Sequence, residues 1–93
     1  MPADAALMKV EIVDRRGRVW AGESGHVSVP SHDGAMGVLP GHTPLMALLS
    51  PGRAEVLQGD GRHLVFEVDG GFVTVDEDLV YVVVEQSDKG HSE

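Results

Sequence analysis

Turn-forming residues recur at short intervals along this chain, and segments rich in β-branched residues lie between them. Turns are predicted at Arg15–Arg18, Gly59–Gly61, Asp69–Gly71 and Asp76–Asp78, because Gly and Asp tolerate the backbone conformations that tight turns require. Turn signals spaced about 8–12 residues apart are typical of an all-β sandwich or barrel. We therefore expect one all-β domain, a two-sheet β-sandwich of about ten short strands.

Two segments illustrate the strand patterns behind this expectation. In MKVEIVD, Val10 and Ile12 lie on one face of a period-two alternation. LVYVVVE is almost continuously β-branched or aromatic, which is typical of a strand buried on both faces. The one helix candidate is TPLMALLS, where Thr43 could cap a short helical turn and Pro44 would occupy its first position. The polar residues 87–93 are expected to fray.

Composition excludes several classes of function. The 93 residues include no cysteine, which excludes disulfides, thiolate metal sites and cysteine nucleophiles. The formal net charge of -8 disfavours nucleic acid and anionic lipid as partners. No apolar run approaches the roughly 20 residues that span a bilayer, and the N-terminus lacks the basic region of a signal peptide. A cytosolic domain that reaches a membrane only through a partner is expected.

Candidates for catalysis and metal binding are few. His26, His32 and His42 invite a metal site, but their spacing matches no standard ligand set. A small metal-dependent enzyme that uses these three histidines stays open as the alternative function. His42, between Gly41 and Thr43, is expected instead to hydrogen-bond a neighbouring backbone carbonyl and hold a loop. The serines lack a GxSxG elbow. We therefore predict no catalytic residue, no metal and no cofactor.

The most hydrophobic passage is GAMGVLPGHTPLMALLSPG (Gly34–Gly52), which glycine and proline repeatedly interrupt. It lacks the GxGxxG or GxxxxGK[ST] spacing of a phosphate-binding loop. It resembles the G-x-x-G-[IV]-x-P-G-H-x-P-L stretch of the epsilon subunit of bacterial F-type ATP synthases, called delta in mitochondria. The likeness includes MKVEIVDRRGRVWAGE and VFEVDGGFVTVDEDLVYVVVE, and covers about residues 7–86. In the passage itself the matching residues are Gly34, Gly37, Val38, Pro40, Gly41, His42, Pro44, Leu45, Pro51 and Gly52.

The resemblance implies a non-catalytic rotor subunit in the central stalk of a proton-translocating ATP synthase. In that family one side of the β-sandwich grips the gamma subunit, and its bottom contacts the ring of membrane-embedded c subunits. The implied location is the cytoplasmic side of the cell membrane, as a peripheral protein held by the complex. A passage rich in Gly and Pro would hold apolar side chains in a fixed shape for a partner to bury. The implied subunit interface comprises Asp33, Gly34, Ala35, Met36, Gly37, Val38, Leu39, Pro40, Gly41, His42, Pro44, Leu45 and Met46.

Two departures from the family pattern alter these expectations. Ala35 stands where family members often carry an acidic residue facing the c ring, and nearby Asp33 could take its role. The family usually continues into a C-terminal hairpin of two helices that can block ATP hydrolysis, whereas this sequence ends at Glu93. We therefore expect a subunit that couples proton flow to ATP synthesis without a helical inhibitory arm and without binding ATP. A β-sandwich adaptor for an unrelated partner is the third hypothesis.

Overall fold

The computed structural model describes residues 6–93, and most of them lie in eight β-strands. Residues 1–5, which belong to the N-terminal stretch without a signal-peptide pattern, lie outside the described residues. The all-β expectation is confirmed. The strands are β1 (Met8–Asp14), β2 (Gly17–Ser31), β3 (Gly34–Val38), β4 (Leu45–Leu49), β5 (Gly52–Gln58), β6 (His63–Asp76), β7 (Leu79–Ser87) and β8 (His91–Ser92).

The strands form a β-sandwich whose two layers share the long strands β2 and β6. In the first layer, β3 pairs with the C-terminal half of β2, followed by β5, the N-terminal half of β6 and β8. In the second layer, the N-terminal half of β2 pairs with β1, followed by β7, the C-terminal half of β6 and β4. Only the β1–β7 pairing is parallel among the described strands. The eight strands thus supply five segments to each layer, which accounts for the predicted number of about ten.

One predicted turn is wrong. Asp69–Gly71 lies inside β6, where that strand leaves its pairing with β5 in the first layer and joins β4 in the second. Gly70 and Gly71 have φ angles of 58° and 126°, and a Cβ atom at Gly71 would clash with the carbonyl oxygen of Val83. Glycine therefore bends a continuous strand here instead of reversing the chain. The other predicted turns are confirmed at Arg15–Arg18, Gly59–Gly61 and Asp76–Asp78.

The core between the layers consists mainly of valine and other aliphatic side chains, with Phe66 as its one large buried aromatic group. Val10 and Ile12 are buried in it, as their alternation predicts. The prediction that both faces of LVYVVVE are buried is wrong. Val80, Val82 and Val84 enter the core, but Leu79 and Tyr81 on the other face are exposed.

Two further expectations fail because tertiary pairing overrides local pattern. Within residues 6–93 there is no helix, and so none that could cross a membrane. The helix predicted in TPLMALLS is wrong, since Leu45–Leu49 forms β4 and pairs with β6. The tail does not simply fray: His91–Ser92 pairs with β6, and the Glu93 N–H donates to the His63 carbonyl oxygen at 2.8 Å. The edge of β6 orders this tail by supplying free backbone partners.

Candidate subunit interface

The connection between β3 and β4 starts with a tight turn that the sequence specifies. The His42 N–H donates to the Leu39 carbonyl oxygen at 3.1 Å. Pro40 occupies the second position of this turn, and Gly41 occupies the third with a φ of 82°, as a type II turn requires. The Gly41 N–H also donates to Asp78 Oδ1 at 2.8 Å, which fixes the turn to the β6–β7 connection. The turn leaves the Leu39 side chain exposed.

The histidines singled out from the sequence are spread over different parts of the sandwich. His42 Nδ1 lies 2.9 Å from the Thr43 carbonyl oxygen, which confirms the predicted hydrogen bond to a neighbouring backbone group. His26 packs over Gly37, where its Nε2 would lie 3.1 Å from a Cβ atom. Among residues 6–93, the group of three potential metal ligands in mutual reach contains none of His26, His32 and His42. The described residues thus do not bring these three histidines together as a set of metal ligands.

The β2–β3 hairpin ends in a polar tip. Ser31 pairs with Gly34 across a two-residue turn, and the φ of Gly34 is 117°. The Ser31 hydroxyl accepts from the Asp33 N–H at 3.2 Å and donates to the Gly34 carbonyl oxygen at 2.6 Å. These bonds hold the tip in shape while the side chains of His32, Asp33 and Ala35 stay exposed. The tip thus presents one carboxylate beside a small apolar residue.

The outer surface of the second layer is apolar across three neighbouring strands. The register sets Leu48 opposite Phe72, and it aligns Met46 with Tyr81 across Thr74. The exposed fractions of the four large side chains range from 36% for Phe72 to 67% for Met46. A continuous patch of large exposed apolar side chains on a small domain usually marks an interaction site. We call Met46, Leu48, Phe72 and Tyr81 the apolar face.

The apolar face adjoins the hairpin tip. His32, Asp33, Met46 and Leu48 line one shallow depression, and the His32 N–H donates to the Leu48 carbonyl oxygen at 3.0 Å. The exposed acidic tip and the apolar face are therefore parts of one continuous surface. A partner that covered the apolar face would lie close to Asp33.

The predicted interface residues differ in whether their side chains can reach a partner. Leu39 and Met46 are exposed, whereas Met36 and Leu45 are half-buried against the core. The prediction that Val38 is a contact residue needs correction. Its side chain is fully buried in the domain's own core, so it is not available to another subunit.

Only Met46 of the apolar face belongs to the predicted set of interface residues. Leu48 lies in the passage Gly34–Gly52 but outside that set, and Phe72 and Tyr81 lie outside the passage altogether. The available signal was the period of two in FVTVD and LVYVVVE, in which Val73, Val80 and Val82 form the opposite, buried face. Valine and tyrosine both suit strands whether one face or both are buried, so composition concealed this alternation.

A buried carboxylate lies away from this surface, near the end of β1. Asp14 Oδ2 accepts from Arg16 Nη2 at 2.6 Å and from the Ser87 N–H at 3.3 Å, and its side chain is 1% exposed. The hydrogen bond from the Arg16 guanidinium is the main cause that lowers the pKa of Asp14 from 3.8 to about 2. Arg16 also donates to the Ser87 carbonyl oxygen at 2.7 Å, so the group ties the β1–β2 turn to the end of β7. This arrangement is structural.

Comparisons with known sequences agree on one family. The sequence profile described as "ATP synthase, Delta/Epsilon chain, beta-sandwich domain" matches residues 7–89. The chain is 40% identical over 78 residues to the ATP synthase epsilon chain of Frankia casuarinae, covering 84% of this chain and 92% of the relative. It is 39% identical over 77 residues to the ATP synthase epsilon chain of Micrococcus luteus, covering 83% of this chain and 85% of the relative. Against the epsilon chain of Cutibacterium acnes it is 37% identical, covering 89% of this chain but 57% of the relative.

Solved structures share the fold. A chain in the cryo-EM structure of the Euglena gracilis mitochondrial ATP synthase, OSCP/F1/c-ring, superimposes with a TM-score of 0.84 at 22% identity, covering 89% of this chain and 53% of that chain. A chain of the Tetrahymena thermophila mitochondrial ATP synthase central stalk/c-ring gives a TM-score of 0.67 at 15% identity, covering 87% of this chain and 65% of that chain. The chain therefore belongs to the family of ATP synthase delta and epsilon chains, a non-catalytic subunit of that complex, and residues 7–89 match the family's β-sandwich domain.

Proposed function

We propose that this chain is the epsilon-type rotor subunit that fastens the gamma subunit to the c ring and so couples proton flow to ATP synthesis. The observation that carries the proposal is the apolar face, which is continuous with the acidic hairpin tip. One surface of this kind can join two partners of different chemistry. The complex then holds the chain at the membrane as a peripheral protein on the cytoplasmic side.

Gamma covers the apolar face and the Leu39 turn in this proposal. Four large apolar side chains stand on the rigid strands β4, β6 and β7, and Leu39 stands on a turn held by Asp78. Side chains that are already ordered lose little entropy when a partner buries them, so burial of their area contributes more fully to binding. A rotor contact must resist torque, which a rigid surface serves better than a flexible one.

The c ring contacts the hairpin tip, including Asp33, Gly34 and Ala35. The tip is exposed and carries a carboxylate, and the net charge of the chain is -8. Polar loops of c subunits in the family carry basic residues, so complementary charge would orient the chain on the ring. Asp33 then supplies the acidic group that the family often has at the position of Ala35.

We also propose that these 93 residues couple without inhibiting ATP hydrolysis. Residues 6–93 include no helix that could extend along gamma into the catalytic head. The isolated chain should restore proton pumping when it is added to an enzyme depleted of this subunit, leave hydrolysis by the isolated head active and bind no ATP. Strong inhibition of the head, or heat released by ATP binding in calorimetry, would contradict this part of the proposal.

Replacing Met46 by Asp tests the gamma interface. Met46 is the most exposed member of the apolar face, so the change should leave the fold intact and bury an unpaired charge at the interface. We expect affinity for purified gamma to fall at least about tenfold, equivalent to about 1.4 kcal/mol. Leu45→Asp is less informative because Leu45 packs against the core.

The matched control is Leu57→Asp. Leu57 is an exposed leucine of β5, which belongs to the first layer and not to the apolar face. This variant should bind gamma like the wild type. Equal binding by all three proteins, or equal loss in both variants, would overturn the assignment of gamma to the apolar face.

A further inference from the structure

The outer side of the first layer brings a histidine together with two carboxylates. His63 opens β6 and pairs with Leu57 of β5, and Glu55 lies two residues before Leu57, on the same side of that strand. Glu93 follows β8 and donates its N–H to the His63 carbonyl oxygen at 2.8 Å. Backbone hydrogen bonds thus hold the three residues on neighbouring chain segments.

Their side chains converge. His63 Nε2 lies 2.9 Å from Glu55 Oε1, and His63 Nδ1 lies 4.0 Å from Glu93 Oε1. One ligand atom from each residue can be chosen so that all three lie within 4.8 Å of one another. Zn²⁺ bonds of about 2.1 Å in tetrahedral geometry separate neighbouring ligand atoms by about 3.4 Å, so small side-chain rotations would suffice.

We propose that Glu55, His63 and Glu93 bind a divalent transition-metal ion, with Zn²⁺ as the best fit. One imidazole nitrogen and two carboxylate oxygens are ligands that Zn²⁺ accepts, and water would complete the tetrahedron. This site is independent of the gamma and c-ring contacts proposed above.

Arg53 orients one of the proposed ligands. Arg53 Nη2 donates to Glu93 Oε2 at 2.6 Å, which occupies one oxygen and leaves Oε1 on the side of His63. Hydrogen-bonded carboxylates are typical of the surroundings of metal ligands. Arg53 also repels a cation, so the affinity should be lower than that of a four-ligand structural zinc site.

The floor of the site is apolar. Val65 pairs with Glu55 on one side and His91 on the other, and it is fully buried although it lies outside the core between the layers. Val65 thus lies on the same outer side as Glu55, where neighbouring side chains bury it. Charges above a buried apolar group interact more strongly than fully solvated charges. A bound ion would also link β5, β6 and the C-terminal end of β8.

The test is Zn²⁺ titration of the full 93-residue chain after treatment with a chelator, followed by isothermal calorimetry and thermal unfolding. We expect one equivalent of Zn²⁺ to bind and the melting temperature to increase. His63→Ala should remove this binding, and Glu55→Gln should weaken it about tenfold or more.

His32→Ala is the matched control, since His32 is an exposed histidine on the hairpin tip, outside the group. It should bind Zn²⁺ like the wild type. Circular dichroism tests whether each variant is folded. If His63→Ala does not fold, Glu55→Gln takes its place in the comparison. Binding that only millimolar Zn²⁺ achieves, that survives both substitutions, or that is lost in His32→Ala would overturn the proposal.

Discussion

The two outer faces of the sandwich differ sharply in chemistry although the strand β6 contributes to both. Its N-terminal half carries His63 and Glu67 among the polar groups of the first layer, and its C-terminal half carries Phe72 within the apolar face. The change occurs at Gly70–Gly71, where the strand passes from one layer to the other. A single strand therefore presents polar groups on one half and, on the other half, the apolar face that we propose to bind gamma.

The contrast also shows what average hydrophobicity conceals. The chain as a whole is acidic and its mean hydropathy is -0.04, which gives no indication of a large apolar surface. The four side chains of the apolar face lie on the outer side of β4, β6 and β7. The inner positions of these strands are apolar as well, so both sides of this part of the sheet are apolar. On the first layer, polar residues occupy most outer positions, as on an ordinary solvent-facing sheet.

The largest expected effect follows from removing the bend that separates the two faces. Gly71→Ala introduces a Cβ atom against the Val83 carbonyl oxygen at a positive φ, so β6 cannot keep both its pairings. We expect a loss of about 3 kcal/mol or more in the free energy of unfolding, measured by urea denaturation.

Gly61→Ala is the control for this substitution. Gly61 has a φ of 92°, but a Cβ atom there would meet nothing within 4 Å. Backbone strain alone should cost about 1 kcal/mol. Similar losses in the two variants would mean that the close approach at Gly71 is unimportant.

The strand content was predictable from sequence because alternation and turn residues are local signals. Val10 and Ile12 were correctly assigned to one buried face. Leu45–Leu49 was wrongly assigned to a helical turn, since a short apolar run fits a helix or a strand equally well, and pairing with β6 decides between them. Asp69–Gly71 was misassigned because the same glycines permit a turn or a bend.

The site was predictable only where a turn specifies it. Pro40 and Gly41 fix the type II turn locally, so the exposed Leu39 follows from sequence. Phe72 and Tyr81 join Met46 only through the register of three strands that are distant in sequence. The group of Glu55, His63 and Glu93 was not predicted for the same reason. Glu93 comes close to His63 only because β8 pairs with β6.

A smaller effect should separate the ion pair of the buried carboxylate Asp14 in the second layer from the exposed ion pairs of the first layer. The pKa of Asp14 is about 2 in the folded chain, below its ordinary value of 3.8. The folded state therefore keeps this carboxylate ionised where the unfolded state binds a proton. The stability it contributes is complete above pH about 4 and is lost as the pH falls through about 2.

Thermal unfolding from pH 2 to 6 measures this contribution. Asp14→Asn should be less stable than the wild type near neutral pH and should show a flatter decline between pH about 4 and 2. Glu93→Gln removes an exposed pair with Arg53, so its effect should be slight and should disappear in high salt. A wild-type decline that Asp14→Asn leaves unchanged would assign the acid sensitivity to other carboxylates.

The smallest effect is expected at His42, which lies in the connection between β3 and β4 and helps to hold its shape. Its Nδ1 donates to the Thr43 carbonyl oxygen, while Pro40, Gly41 and the anchor on Asp78 define the turn independently. His42→Gln keeps a donor at this position, so gamma binding and coupled ATP synthesis should remain within about twofold of the wild type. Asp78→Ala removes the acceptor of the Gly41 N–H and places alanine at a φ of 62°, so it should cost about 1 kcal/mol of stability or more and weaken gamma binding more than His42→Gln. A severe loss of proton-driven synthesis in an assembled His42→Gln enzyme would mean that this histidine contacts a partner or moves protons, and the structural role would then be wrong.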